Sequence, residues 1–331
     1  MRAAIVAEGG HFEVKSVPEP DVGPDQVLVR VAACGVCGSD VHMRRAGLVF
    51  PGMSMGHEIG GTVEALGSDV EGWAVGDAVA VMPTLPCGAC AQCSAGRPQL
   101  CINQTPYTMG LGIRPGGLAE YVSVWPGQLF RLPDGVPPHV GALAEPLAVG
   151  FHGVAASGIG AGERAVVLGG GSIGVMAAVG LRATGVTDFF VSEPVAVRRE
   201  TLGLLGFETC EPAAAMSRSH APSVVFDCTG VGSVLQEATQ IVASGGTVVL
   251  LGVVEVPTTV LPVVWMVKEV TIRGVLAYGG AFPDAVASLA DGRVDTAPLS
   301  AHVVPLEATE ETFDRLATAD APPKILVDPW L

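Results

Sequence analysis

Basic side chains are scarce in this sequence, and aromatic side chains are scarcer still. Lysine and arginine number 18 against 33 aspartates and glutamates, which gives a formal net charge of -15, and aromatic residues make up 5% of the chain. A surface with this charge repels the phosphate backbone of nucleic acids and an anionic lipid surface. We therefore expect no nucleic acid and no membrane among the partners of this protein.

The chain also lacks a long uninterrupted apolar run. Charge-free stretches such as 165–181 are broken by glycine clusters, so they indicate a buried strand and helix rather than a membrane span. The first six residues run into polar sequence without the apolar segment and cleavage site of a secretory signal. We expect a cytoplasmic protein, and cysteines in that compartment are kept reduced.

Four of the eight cysteines lie close together. Cys87, Cys90, Cys93 and Cys101 have the spacing C-x2-C-x2-C-x7-C, which lets four thiolates converge on one zinc ion. Free or disulfide-bonded cysteines are the alternative, but four thiols so close together in a reducing compartment rarely go unused. Four thiolates leave the ion no open position, so we expect this zinc to be structural.

A second group of possible ligands is ambiguous when taken alone. Cys37 opens the segment Cys-Gly-Ser-Asp-Val-His, and Gly56-His57-Glu58 follows further along the chain. A thiolate and an imidazole with carboxylates near by form a metal site that leaves a position for water or substrate. Cys34 and Cys37 could instead form a redox dithiol, and a lone His-Glu pair is more often structural.

The length of 331 residues and the change of pattern along the chain indicate two domains. Up to about residue 132, short alternating segments separated by glycine and proline predict a β-rich domain. After residue 143, apolar strands alternate with helical stretches, which predicts an α/β domain with a doubly wound parallel sheet. The tail beyond about residue 278 is expected to return to the first domain.

A glycine-rich loop follows the first strand of the predicted α/β domain. Gly169 permits a tight turn, Gly171 lets the backbone approach a pyrophosphate, and Gly174 lets the next helix pack on the strand. Ser172 and Ile173 open that helix, whose N-terminus attracts the anion. The loop predicts a dinucleotide site.

Glu193 stands at the end of the next predicted strand. An acidic side chain there accepts hydrogen bonds from a ribose diol and repels a 2′-phosphate, which favours NAD over NADP. Arg198 and Arg199 follow closely and weaken this preference. An NADP-dependent alcohol or aldehyde reductase therefore remains the alternative.

Taken in order, these motifs resemble the zinc-containing medium-chain dehydrogenases, which include alcohol, sorbitol, 2,3-butanediol and threonine dehydrogenases. The resemblance covers essentially the whole chain and includes the segments 116–121 and 144–149. It implies a β-rich GroES-like catalytic domain over residues 1–147, completed by 278–331, and a Rossmann cofactor domain over 148–277. The run 206–223 is shorter than in this family, so we expect it to lack a full helix.

The resemblance also implies the ligands of a catalytic metal. Cys37 and His57 would bind zinc, and the third protein ligand would be Glu145 or, in some members and some states, Glu58. Zinc would polarise the substrate oxygen and lower the pKa of the hydroxyl, and hydride would then pass to the nicotinamide.

Further roles follow from the same resemblance. Ser39 and His42 would relay the alcohol proton to solvent, and Asp40 would accept a hydrogen bond from the ring of His57 and fix its tautomer. For Cys34 the resemblance implies no ligand role, and we interpret it as a small buried residue.

The expected function is oxidation of a secondary alcohol by NAD in a zinc enzyme. Glu145, where other members present a cysteine, makes the metal harder and favours a diol, a sugar alcohol or an amino-polyol. We expect two zinc ions per subunit, one catalytic and one structural, and the family implies a homodimer or homotetramer, with 247–264 as a candidate edge strand. His152, Arg114 and Tyr107 are candidates for lining the substrate cleft.

Three other interpretations use parts of the same pattern. A methyltransferase also has a glycine-rich first loop and an acid after the second strand, but it leaves Cys37, His57 and Glu145 unexplained. A zinc ribbon that contacts nucleic acid is opposed by the net charge of -15. A zinc-free quinone or enoyl reductase of the same fold would lack the metal ligands.

Overall fold

A computed structural model describes residues 1–104, 108–112, 114–217, 220–318 and 321–331. The chain forms two compact units, one made of Met1–Glu145 with Phe282–Leu331 and the other of Pro146–Ala281. The strands are β1 (Arg2–Val6), β2 (Phe12–Ser16), β3 (Val27–Gly35), β4 (Glu58–Leu66), β5 (Ala78–Val81), β6 (Tyr121–Val124), β7 (Leu129–Arg131), β8 (Arg164–Leu168), β9 (Asp188–Ser192), β10 (Thr209–Cys210), β11 (Val224–Asp227), β12 (Thr247–Leu250), β13 (Thr271–Gly274), β14 (Val303–Pro305) and β15 (Leu326–Asp328).

The helices are short and fall in both units. They are α1 (Gly38–Arg45), α2 (Ala91–Ser94), α3 (Ala144–Ser157), α4 (Ser172–Ala183), α5 (Ala196–Leu204), α6 (Pro212–Met216), α7 (Gly232–Ile241), α8 (Pro262–Lys268), α9 (Phe282–Ser288) and α10 (Thr309–Leu316).

The first unit is built on a seven-stranded sheet with the order β14-β15-β3-β4-β5-β7, to which β6 adds by pairing with β3. Its neighbours are antiparallel except for the parallel pair β14–β15. The central strand β3 is almost wholly buried because its apolar side chains join the core. Where β3 ends and β4 begins, Gly35 pairs with Glu58, which brings the start of α1 beside His57.

The second unit contains a six-stranded sheet, all parallel, in the order β10-β9-β8-β11-β12-β13. The strand order reverses between β8 and β11, which is the arrangement of a doubly wound dinucleotide-binding sheet. The inner strands β8 and β11 are continuous apolar runs because both of their faces are covered. The predicted parallel α/β domain is confirmed.

Two expectations concern the edges of this sheet. Among the described residues of the run 206–223, the structure has the two-residue strand β10 and the five-residue helix α6, as its shortness predicts. The prediction of an edge strand within 247–264 is wrong. Its first residues form β12, which lies inside the sheet, and the edge strand is β13. Pro257 and Pro262 explain the difference, since neither has an N–H group to continue a ladder.

One helical stretch among the described residues, Pro138–Ser157, is long and apolar enough to cross a membrane by composition alone. Its most apolar window is 72% buried within the protein, which is the behaviour of a core helix.

Candidate metal centre and cofactor loop

Cys37 lies at the junction of β3 and α1. Its backbone is extended, with φ of -100° and ψ of 155°, so it caps the helix that Gly38 begins. The backbone N–H of Cys37 donates to Oδ2 of Asp40 at 3.0 Å, within the first turn. This hydrogen bond holds the backbone of Cys37, and with it the thiol, in place between the end of β3 and the start of α1.

His57 lies directly before β4 and is 4% exposed. Its Nδ1 is 3.3 Å from Oδ1 of Asp40, which brings together the two residues expected to be partners, although the angles are not those of a hydrogen bond. Burial acts to lower the pKa of His57, but the Asp40 carboxylate and the Cys37 thiol outweigh it and raise that pKa well above its ordinary value. The imidazole therefore lies between a carboxylate that orients it and a thiol that shares its site.

The ligand atoms of Cys37, His57 and Glu58 all lie within 4.8 Å of one another. Glu145, one of the two carboxylates expected as the third ligand, does not belong to this group, although its side chain is only 6% exposed and lies in the first turn of α3. Burial raises the pKa of Glu145, His57 lowers it and Glu58 raises it, and the net result is a pKa of about 7. The geometry thus places Glu58 nearest to the thiol and the imidazole.

Lys324 completes this centre and was missed by reasoning from the sequence. Its Nζ donates to both Oε1 and Oε2 of Glu58 at 2.6 Å, and the side chains of both residues are fully buried. Burial alone would lower the pKa of Lys324, but Glu58 and Cys37 raise it above its ordinary value, so the ammonium stays charged. A lysine inside the apolar segment Lys324-Ile-Leu-Val327 is the signal that pointed to a buried partner.

Ser39 and His42 both lie on α1, three residues apart and partly exposed. Side chains at this spacing are neighbours on one face of a helix, so Ser39 and His42 lie together on the helix that the half-buried Cys37 caps.

The four cysteines of the second predicted site converge as expected from their spacing. Their sulfur atoms all lie within 4.8 Å of one another, with Cys90 Sγ 3.6 Å from Cys93 Sγ and 3.9 Å from Cys101 Sγ. A tetrahedral zinc with Zn–S bonds of about 2.3 Å spaces its sulfur atoms by roughly 3.8 Å. Hydrogen bonds from the backbone of Ala89 and the side chain of Asn103 lower the pKa of Cys87 to about 6, which favours the thiolate that zinc requires.

In the second unit, the glycine loop has the geometry of an anion site. Gly169 has φ of +94°, and Gly174 packs so closely that a methyl group there would overlap the carbonyl oxygen of Gly169. Around Gly171 no atom lies within 4 Å of the position a Cβ would take, so the backbone is open on that side. Ser172 and Ile173 open α4, and the buried hydroxyl of Ser172 has no hydrogen-bond partner among the described residues. A diphosphate fits this cradle.

Glu193 follows directly after β9, as predicted, but its carboxylate accepts hydrogen bonds from the neighbouring backbone. Oε2 accepts from the N–H of Gly170 at 2.6 Å, Oε1 accepts from the N–H of Val195 at 2.8 Å, and the residue is 2% exposed. Arg199 donates to the carbonyl oxygen of Glu193 at 2.7 Å, and Arg198 is partly buried in the first turn of α5. Glu193 therefore shapes the glycine loop as well as placing a negative charge beside it.

The residues suggested for the cleft have local contacts. His152 Nδ1 lies 2.9 Å from the carbonyl oxygen of Ala277, and the guanidinium of Arg114 lies 4.2 Å from the ring centre of Trp125. Tyr107 lies outside the described residues. Cys34 is fully buried, and burial raises the pKa of its thiol, in agreement with a packing role.

Comparison with known proteins supports the same assignment. Residues 23–134 match the alcohol dehydrogenase GroES-like domain, and residues 172–291 match the zinc-binding dehydrogenase family. The sorbitol dehydrogenase of Gallus gallus is 34% identical over 330 residues, which are 94% of this chain and 92% of that protein. This chain belongs to the zinc-binding dehydrogenases and is an oxidoreductase of that family.

Solved structures show the same fold. A structure from Sinorhizobium meliloti 1021, described as a zinc-binding dehydrogenase bound to NADP, has a TM-score of 0.91 at 32% identity and covers 99% of both chains. The 2R,3R-butanediol dehydrogenase of Bacillus subtilis has a TM-score of 0.88 at 30% identity, again over 99% of both chains. The GroES-like and Rossmann expectations are confirmed.

Proposed function

We propose that this protein is a polyol dehydrogenase that transfers hydride between a secondary alcohol and NAD, with zinc bound by Cys37, His57 and a carboxylate. The observation that carries the proposal is the group formed by the half-buried thiol of Cys37, the buried imidazole of His57 and the buried carboxylate of Glu58. Such a set leaves a coordination position open and gives a harder metal than two thiolates would. The sorbitol and butanediol dehydrogenases to which the chain is similar support a diol or sugar alcohol as the substrate.

The chain's own residues would handle the proton. Zinc, when bound, supplies Lewis acidity that lowers the pKa of the substrate hydroxyl. Asp40 holds the ring of His57, and Ser39 with His42 would carry the proton along α1 toward solvent. Glu145, buried beside this group, is the adjacent carboxylate that would exchange with Glu58.

For the second metal, we propose that Cys87, Cys90, Cys93 and Cys101 hold a structural zinc. Sulfur distances of 3.6 and 3.9 Å support this site, because they match the spacing of tetrahedral ligands. Each subunit would then contain two zinc ions with separate tasks.

We propose NAD as the preferred dinucleotide. Glu193 supports this preference, since a negative charge beside the glycine loop disfavours a 2′-phosphate. NADP is the second candidate, favoured by Arg198 and Arg199 and by the NADP bound in the Sinorhizobium meliloti structure.

We also propose that the protein works as a homodimer or homotetramer in the cytoplasm, without nucleic acid or membrane partners. The edge strand β13 and the exposed apolar side chains near it support association with a second copy. Val263, Met266, Val267 and Leu276 are 51–73% exposed. The net charge of -15 supports the absence of nucleic acid.

A substrate screen combined with metal analysis tests the proposal. Diols, sugar alcohols and amino-polyols are offered with NAD and separately with NADP, and reduced dinucleotide is read by absorbance. We expect turnover with NAD and two zinc ions per subunit in the wild-type protein, and no turnover with one zinc ion in Cys37→Ser. One zinc per subunit in a folded, active wild-type protein would contradict the proposal.

A further inference from the structure

Lys324 has no part in the roles given above, although it touches the metal centre directly. It lies just before β15, 266 residues from Glu58 in the chain, and is 1% exposed. Its Nζ is 2.6 Å from each carboxylate oxygen of Glu58, and the carbonyl oxygen of Val36 is 3.4 Å away. The tail of the chain therefore supplies a full positive charge to the inside of the site.

A buried ammonium is stable only with an anionic partner, and here Glu58 is that partner. The same carboxylate lies within 4.8 Å of the ligand atoms of Cys37 and His57. Glu58 is thus attracted from two directions, by a permanent cation in the protein and by any metal held at the thiol and the imidazole. Negative charge that is drawn toward Lys324 is less available to the metal, because little solvent reaches this buried pair to screen it.

We propose that Lys324 keeps Glu58 an exchangeable ligand, by competing with the metal for the two carboxylate oxygens. The inference rests on the proposed catalytic zinc. A metal that holds Glu58 weakly opens a position for a substrate hydroxyl, while Glu145, buried close by, is available to keep the metal in place. Lys324 is then a positioning residue that acts through Glu58.

The direction in which zinc binding changes when Lys324 is replaced separates this role from simple orientation of a ligand. Loss of a partner that only orients a metal ligand weakens metal binding, typically by about 10–100-fold. Loss of a competing cation has the opposite effect, because Glu58 regains its full charge for the metal. We therefore expect Lys324→Met to release its catalytic zinc about tenfold more slowly than the wild type, within the range that such neighbours exert.

The experiment measures release of zinc from the full-length protein to a chromogenic chelator. Zinc ions at the two sites are released in separate kinetic phases, and the phase that belongs to the Cys37 site is the one missing in Cys37→Ser. We expect slower release in Lys324→Met, a wild-type rate in Lys324→Arg, which keeps the charge, and no effect of Lys324→Met in a Glu58→Gln background. In cobalt-substituted protein, Lys324→Met should lower the intensity of the visible d–d bands, as a fourth protein ligand stays bound.

Each other result overturns the inference. Faster or unchanged release in Lys324→Met makes Lys324 an ordinary orienting or structural partner, and an equal effect in the Glu58→Gln background shows that it does not act through Glu58. If Lys324→Met does not fold, Lys324→Gln takes its place, because it removes the charge while keeping an N–H donor. The same slower release of zinc is then expected of Lys324→Gln. A wild-type protein without zinc at the Cys37 site overturns the proposed function together with the inference.

Discussion

Two glycines of the same loop should respond to alanine in opposite ways. At Gly171 the backbone has φ of -71° and ψ of -173°, which alanine adopts without strain, and no atom lies within 4 Å of the added methyl group. At Gly174 the methyl group would overlap the carbonyl oxygen of Gly169, and neither backbone moves freely. Gly171→Ala should therefore leave folding intact, while Gly174→Ala should disturb it.

The magnitudes follow from what each methyl group meets. Forcing a group into a packed interior costs about 1–3 kcal/mol, so Gly174→Ala should lower the free energy of unfolding by at least that much. Gly171→Ala places its methyl group where a diphosphate would approach the N-terminus of α4. Hydrogen bonds to a charged group are worth about 1.5–3 kcal/mol each, so losing one weakens NAD binding by roughly 10–150-fold.

Two measurements on the same samples separate the effects. Chemical denaturation gives the free energy of unfolding, and quenching of protein fluorescence by NADH gives the dissociation constant. Gly203→Ala is the control, because Gly203 lies within α5 and has open space where the methyl group is added. Gly185→Ala would not serve, because Gly185 has φ of +86°. Wild-type affinity for NADH in Gly171→Ala would refute the assignment of this loop to the diphosphate.

Three further predictions concern the metals, the cofactor and the assembly. Cys37→Ser should abolish turnover and leave thermal stability nearly unchanged, whereas Cys90→Ser should lower the melting temperature, because a zinc bound by the four cysteines would hold their lobe together; equal melting temperatures would contradict two separate tasks. Glu193→Gln keeps an acceptor for the N–H of Gly170 but removes the charge, so the ratio of kcat/KM for NADP to that for NAD should rise; an unchanged ratio removes Glu193 from cofactor selection. Met266→Asp replaces an apolar side chain that is 72% exposed with a charged one, so analytical ultracentrifugation should show a smaller particle than the wild type. The matched control is Leu204→Asp on α5, where the side chain is 84% exposed.

The sequence was sufficient for the parts of the fold that rest on local pattern. The glycine loop and the strands around it follow from spacing and alternation, and the four cysteines converge because short loops leave them little choice. The edge of the parallel sheet was harder to predict. β12 is apolar and β13 is short and mostly exposed, and their order in the sheet depends on which strand pairs with β11, which is a long-range choice.

Contacts between distant residues explain what sequence reasoning missed at the site. Lys324 meets Glu58 only because β15 pairs with the end of β3, so a lysine in an apolar segment signals a buried partner without identifying it. The orientation of Glu193 toward Gly170 is hidden for a similar reason, since an acid after a strand can point to solvent or to its own backbone. Motif spacing identifies the residue types, whereas packing decides which atoms face each other.

The charges of the buried centre are arranged for a divalent cation, and this has a measurable consequence. Glu58 is offset by Lys324, but Glu145 has no ion pair among the described salt bridges, and burial raises its pKa to about 7. Without metal, Glu145 is therefore largely protonated at pH 6 and largely ionised at pH 8, and a bound metal favours the ionised form. Zinc binding should release up to one more proton at pH 6 than at pH 8.

Calorimetry in buffers of different ionisation enthalpy counts these protons directly. Glu145→Gln should reduce the difference between the two pH values by the proton that Glu145 contributes, while still binding zinc through Cys37, His57 and Glu58. Asp314→Asn, at a carboxylate that is 67% exposed, is the control and should release the same protons as the wild type. If proton release is the same at pH 6 and pH 8 in the wild type, Glu145 is already ionised without metal, and the buried group does not depend on a dication to stay charged.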